Sequence, residues 1–151
     1  MIRKANVEDV RAIYNLLHVF AKDAELLPRP LGELYDHIRD FSVFLDNATG
    51  EMLGCCALHI CWEDLAEVRS LAVDRTRWGK GIGGRLLEFA LTEARELGIK
   101  KLFTLTYRPG FFEKHGFALT DKGNLPQKVW ADCLKCVKFP DCDEIAMIRE
   151  V

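Results

Sequence analysis

The stretch that most constrains this chain runs from Ala66 to Gly84. Ala66-Glu67-Val68-Arg69-Ser70-Leu71-Ala72-Val73-Asp74 reads as an apolar strand, Arg75 to Trp78 turn the chain, and Gly79-Lys80-Gly81-Ile82-Gly83-Gly84 places four glycines in six residues. The loop opens directly into Leu86, Leu87, Ala90, Leu91, Ala94 and Leu97, the three-and-four spacing of an amphipathic helix. Such a junction leaves the first helical amides without intrahelical acceptors and sets the positive end of the helix dipole behind them. That geometry holds a phosphate. Arg75, Arg77, Lys80 and Arg85 add positive charge around it.

Two familiar glycine signatures do not fit. Gly79-x-Gly81-x-x-Gly84 has the dinucleotide spacing, but an acidic residue should follow about 20 positions on, where Ile99-Lys100-Lys101 stands. A triphosphate loop needs Gly-Lys followed by Ser or Thr, and Lys80 is followed by Gly81. A chain of 151 residues with 49% hydrophobic composition suits one domain, residues 1–151, with a real core. Lys and Arg number 21 against 23 acids, a net charge of -2, which argues against wrapping a nucleic acid. The start, Met1-Ile2-Arg3-Lys4-Ala5-Asn6, lacks the apolar core of a secretory signal, and no window approaches the roughly 18 apolar residues of a membrane span. A cytoplasmic protein without membrane partners is expected.

Taken in order, Ile2 to Ala5 read as a short strand, and Asn6 with Asp9 as a capping box before a helix that buries Val10, Ile13, Leu17 and Phe20. The prolines of Leu26-Leu27-Pro28-Arg29-Pro30-Leu31 break it, and a second helix runs from about Leu31 to Asp40. Phe41 to Asp46, a turn at Asn47-Ala48-Thr49-Gly50 and Glu51 to Ile60 form a hairpin. After the glycine loop the helix ends at Gly98, Lys101 to Thr106 is a strand, Pro109 to Gly116 a short helix before another strand, and Glu144 to Arg149 the last strand. Three successive strands joined by short turns, then strand, helix and strand, predict an α+β mixed sheet, mostly antiparallel with one parallel crossover. The final segment offers an edge near Glu144 to Val151 for pairing with a second copy, a possible homodimer.

Leu71-Ala72-Val73-Asp74, four linking residues, Gly79-Lys80-Gly81-Ile82-Gly83 and then Leu86-Leu87 resemble the acetyl-CoA-binding segment of the GNAT superfamily of N-acetyltransferases. Phe111-Phe112-Glu113-Lys114-His115-Gly116-Phe117 is similar to the family's short helix before its sixth strand. The resemblance implies a sheet whose fourth and fifth strands splay at a bulge to admit the thioester arm of the cofactor. Main-chain groups of Leu71, Ala72 and Val73 would bond the pantetheine, and amides of Gly79, Lys80, Gly81, Ile82, Gly83 and Gly84 would hold the pyrophosphate. Where the family's loop usually begins with Gln or Arg, this chain has Trp78.

Acetyl transfer needs a neutral amine, hence a base. Glu67, four residues before Leu71, matches the position where the family often carries that glutamate; an ion pair with Arg69 is its structural alternative. The tyrosine that often protonates the departing thiolate matches Phe112, which cannot donate, leaving Tyr107 as substitute acid or packing residue. Leu27-Pro28-Arg29-Pro30, Asp40-Phe41-Ser42-Val43, Glu67 to Val73, Leu105-Thr106-Tyr107 and Leu125-Pro126-Gln127-Lys128-Val129-Trp130 resemble stand-alone, short-form N-acetylglutamate synthases, which implies L-glutamate as the small-molecule acceptor. Planar guanidinium groups suit its two carboxylates, and Arg29, Arg69, Arg108 and Lys128 are the available cations, Arg29 and Arg69 foremost. The arginine-binding domain of longer synthases has no counterpart here. Other readings stand beside this one: another acceptor amine (a protein N-terminus, a lysine, or a polyamine held by Glu63, Asp64 and Glu67), or an acetyl-CoA-binding sensor without turnover.

Cys133-x-x-Cys136 with Cys142 offers three zinc ligands without an evident fourth, and reduced packing thiols are the expectation; no metal is assigned. Cys55, Cys56 and Cys61 sit in an apolar strand and read as core. His18, His37, His59 and His115 show no ligand spacing.

Overall fold

A computed structural model of the protein describes residues 1–22, 29–125 and 144–151. Its elements are β1 (Ile2–Lys4), α1 (Val10–Lys22), α2 (Leu31–Asp36), β2 (Phe41–Leu45), β3 (Met52–Ile60), β4 (Leu65–Val73), α3 (Ile82–Glu96), β5 (Lys101–Thr106), α4 (Pro109–Glu113), β6 (Ala118–Leu119) and β7 (Ile145–Glu150). One seven-stranded sheet has the order β1-β2-β3-β4-β5-β7-β6, antiparallel throughout except for the parallel β4–β5 pair that α3 connects. This is the expected mixed α+β architecture. No helix among the described residues is long and apolar enough to cross a membrane.

The sheet is covered on both faces. Ile82, Leu86, Leu87, Ala90, Leu91 and Ala94 of α3 pack against Cys56, Leu58, Ala66, Val68 and Leu102 on one side. Val10, Ile13, Leu17 and Phe20 of α1, with Leu34 of α2, cover Phe41, Val43, Cys55, Ala57 and Ala72 on the other. Cys55 with Ala57 and Cys56 with Leu58 thus obey strand alternation. Burial pushes the Cys56 thiol up to about 12 and raises that of Cys55 as well, so both stay protonated as small apolar fillers.

On β4 the alternation inverts. Ala66 and Val68 face α3, whereas Ala72, of the same parity, faces α1. The cause is a bulge: Cys55 pairs with Ala72 and Ala57 with Arg69, so β4 spends one residue more than β3 over this step. Ser70 takes up the extra length at φ 55°, and among the described residues every other positive φ belongs to glycine.

Two expectations need correction. The second helix stops at Asp36, and Ile38–Asp40 form a separate 3-10 turn. Residues 144–151 do not present a free edge: β7 pairs with β5 over Ile145–Glu150 and with β6 at Ile148 and Met147. The short strand after α4 folds back antiparallel and pairs with the far side of β7 at those two positions.

The capping box stands as expected. The Asn6 side chain accepts from the Glu8 amide, and the Asn6 amide donates to Asp9 Oδ2 at 2.8 Å. Arg3 adds a bidentate pair to Asp9, Nη1 to Oδ2 at 2.7 Å and Nη2 to Oδ1 at 2.9 Å. These donors, the Arg3 guanidinium first, hold the Asp9 carboxyl below the usual carboxylate range. A pKa depressed by folding stabilises the fold fully above the unfolded value of about 4 and progressively less as pH falls below it. Asp9→Asn should cost about 1–3 kcal/mol at neutral pH and flatten the acid limb of the stability curve, measured by denaturant titration between neutral and acid pH.

Candidate functional site

The parallel ladder of β4 and β5 runs only from Leu65–Lys101 to Glu67–Phe103. The Thr104 hydroxyl donates to the Val68 carbonyl at 2.8 Å, a buried side-chain bond that ties the strands where the ladder ends. Beyond it the strands part around a cleft of about 1500 Å³ lined by both strands, the glycine loop and α4. Leu71, Ala72 and Val73 wall this cleft, and past Glu67 the β5 side of β4 has no strand partner among the described residues. A linear amide chain can add there as an extra strand.

The floor is the glycine loop. Gly79 and Gly81 lie at φ 84° and 79°, left-handed conformations that carry the backbone from Trp78 into α3. Gly81 is the N-cap and offers no side chain, so the first amides of this 15-residue helix are open to a ligand. Closeness of approach explains the next two glycines. A Cβ at Gly83 would lie 3.3 Å from the Phe111 ring, and one at Gly84 3.1 Å from His115. Gly79, Gly81, Ile82, Gly83 and Gly84 line the cleft, and Lys80 is exposed beside them.

Of the basic residues around the loop, two also contact other segments. Arg75 stacks over Phe20 and Trp78 at 4.7 and 5.3 Å, and Arg77 reaches Asp46 at 3.8 Å. Trp78 is a connector: its ring stacks on Phe20 of α1 at 6.2 Å, its Nε1 donates to the Val73 carbonyl at 2.8 Å, and Arg108 lies 4.5 Å over it. An indole thereby takes the place of a side chain that could contact phosphate, and the loop is anchored to β4.

The other end of the cleft gathers charge. Glu67 and Arg69 are mostly buried, 3.6 Å apart. Arg29 is also largely buried; Nη1 donates to Ser70 Oγ at 3.1 Å and Nη2 to Glu33 at 2.9 Å. Burial, and then the nearby Arg69 charge, draw the Arg29 guanidinium below its ordinary pKa. Arg69 Nε is buried without a hydrogen-bond partner among the described residues. Two cations held together, one with an orphaned donor, have the chemistry to receive an anionic ligand. Tyr107 and Phe112 both line the same cleft, Phe112 largely buried in an aromatic cluster with Phe111 and Phe117. Of the acids weighed for a polyamine, Glu67 borders the cleft and Glu63 and Asp64 do not. Lys128, Cys133, Cys136 and Cys142 lie outside the described residues.

A histidine pair escaped the sequence. His37 and His59 both line the cleft and both turn Nδ1 toward Asp40. The spacing of His37 and Asp40 was a partial signal; His59 arrives only through hairpin register.

The acetyltransferase (GNAT) family model matches residues 8–117. An uncharacterized N-acetyltransferase of Chlorobaculum tepidum is 39% identical over 98% of this chain and 94% of its own length. An amino-acid acetyltransferase of Mycobacterium tuberculosis is 38% identical over 78% of this chain and 67% of its own. Among solved structures, an N-acetylglutamate synthase of Neisseria gonorrhoeae complexed with coenzyme A and N-acetyl-glutamate superposes with a TM-score of 0.90 at 28% identity, covering 99% of this chain and 34% of that one. The present chain therefore spans about a third of that synthase. The cofactor is acetyl-CoA, and the amide-lined loop suits its pyrophosphate. Gly83→Val should drive a branched side chain into Phe111 and weaken coenzyme A binding about tenfold or more, read by calorimetry on a variant with an unchanged circular dichroism spectrum. With its glycine loop, splayed strands and family match in place, the chain belongs to the GNAT family of acetyltransferases.

Proposed function

We propose that this acyltransferase acetylates the α-amine of L-glutamate. The observation that carries the reading is the pair of guanidinium groups, Arg29 and Arg69, at the acceptor end of the cleft, with Arg69 Nε awaiting an acceptor. A dicarboxylic amino acid brings two anions to two cations, and planar guanidinium pairs favour carboxylates over other acids. A polyamine or a lysine would place a cation against them. That acidic pocket would need Glu63 and Asp64, which border another part of the surface.

In the proposed reaction the backbone of Leu71 to Val73 holds the pantetheine arm and the loop from Gly79 to Gly84 the pyrophosphate, which sets the thioester at the bulge. Arg29 and Arg69 orient the acceptor so that its amine points at the thioester carbon. Glu67 accepts the proton of the ammonium, directly or through one water, and frees the lone pair for attack. The tetrahedral intermediate collapses with expulsion of the coenzyme A thiolate. Tyr107, which lines the cleft, would return a proton to sulfur in this reading, and the thiolate is also stable enough to depart as such.

Thiol release from acetyl-CoA across a panel of amines tests the acceptor. Glutamate should give the highest kcat/KM, and release with a polyamine or peptide amine instead would reassign it. Arg29→Ala should raise the apparent KM for glutamate about tenfold or more and leave that for acetyl-CoA unchanged. Glu67→Gln should lower kcat by about 10²–10⁴ and remove the acid limb of the pH–rate profile; a full rate across that profile would remove Glu67 from the chemistry.

A further inference from the structure

We propose that His37, Asp40 and His59 form a binding site for a divalent transition metal of the Zn²⁺ class in the wall of the cleft. One ligand atom from each residue lies within 4.8 Å of the other two. His59 Nδ1 is 2.8 Å from Asp40 Oδ2, and His37 Nδ1 is 3.6 Å from the same oxygen. The two rings meet edge to face, centroids 5.3 Å apart, so both Nδ1 atoms converge on one point instead of stacking past it. Two imidazoles and one carboxylate are the protein donors of zinc sites that keep a fourth position open.

The distances suit such an ion. Metal–ligand bonds of about 2.0–2.2 Å put tetrahedral donors roughly 3.4 Å apart. The 3.6 Å separation already matches, and the 2.8 Å one must open by about half an ångström, within reach of small side-chain rotations. The scaffold is set by backbone bonds. His37 N donates to the Glu33 carbonyl at 3.0 Å, and Asp40 N to that of His37 at 2.9 Å. Pairing of Phe41 with Ala57 brings β3 alongside, with His59 two residues on. Side-chain exposures of 22–35% leave an entry path and room for a solvent or ligand oxygen at the fourth position.

The placement gives the site a consequence. His59 is the cross-strand partner of Glu67, and both histidines line the cleft that also holds Arg29 and Arg69. A metal there would clamp the end of α2 to β3, and its open position is available to an oxygen ligand entering the same cleft. This inference stands whichever amine is the acceptor.

The test is calorimetric titration of Zn²⁺ into the full chain after chelator treatment. One ion per chain should bind, with affinity weakened about tenfold or more in His37→Gln and in His59→Gln, each checked for native circular dichroism. Asp40→Asn is the further variant should a histidine change impair folding. Co²⁺ separates this site from the C-terminal thiols: nitrogen and oxygen donors give weak visible bands without thiolate charge transfer, and Cys133→Ser/Cys136→Ser leaves them unaltered. Absence of Zn²⁺ binding, equal affinity in the wild type and both histidine variants, or loss of binding only with the cysteines would overturn the proposal.

Discussion

The single extra residue in β4 is the constraint on which the rest depends. At Ser70 the backbone enters a left-handed conformation that costs of order 1–3 kcal/mol in a non-glycine residue, and packing on both faces holds it there. Ahead of the bulge Glu67 and Arg69 project to the side of α1 and α2; after it Leu71 and Val73 pack toward α3. A regular strand would put all four on one face. The bulge thus turns Glu67 and Arg69 to one face of the sheet and Leu71 and Val73 to the other.

Two kinds of recognition meet at that point. In the proposed reaction the phosphate end would use main-chain amides, a helix dipole and glycines that permit close approach, which leaves room for Trp78 where a polar side chain is usual. The acceptor end, as proposed, would use side chains from distant parts of the sequence. Arg29, before α2, donates to Ser70 of the bulge itself, so the strained residue and the acceptor site are mechanically joined. Burial first and the Arg69 charge second lower the Arg29 pKa, and placing the two cations together is unfavourable by itself. Glu33 and Glu67 offset part of that repulsion, and an anionic ligand would offset more.

Local chemistry explains where the sequence was legible. The capping box, the buried stripe of Val10, Ile13, Leu17 and Phe20, the end of α3 at Gly98 and β5 at Lys101–Thr106 all stand as read, because each signal lies within one turn or one strand. Failures came from distant partners. The helix expected to reach Asp40 breaks at His37, whose side chain turns to Asp40 and β3. The strand expected at an edge is interior because β6, only two residues long, covers its far side. Arg75 and Arg77 stay beside the loop, where Arg75 lies over Trp78 and Arg77 lines the cleft, but their contacts to Phe20 and Asp46 come from distant segments that local spacing does not show.

By itself the sequence determined the strand, glycine loop and helix that form one end of the cleft, since these elements are contiguous. Tertiary structure decided what stands at the other end. Arg29 and Arg69 are 40 positions apart, and His37, Asp40 and His59 span 23 residues; no local propensity couples them. Sheet register and one bulge bring them to the same wall, because strand pairing is set by the whole core and not by any one segment.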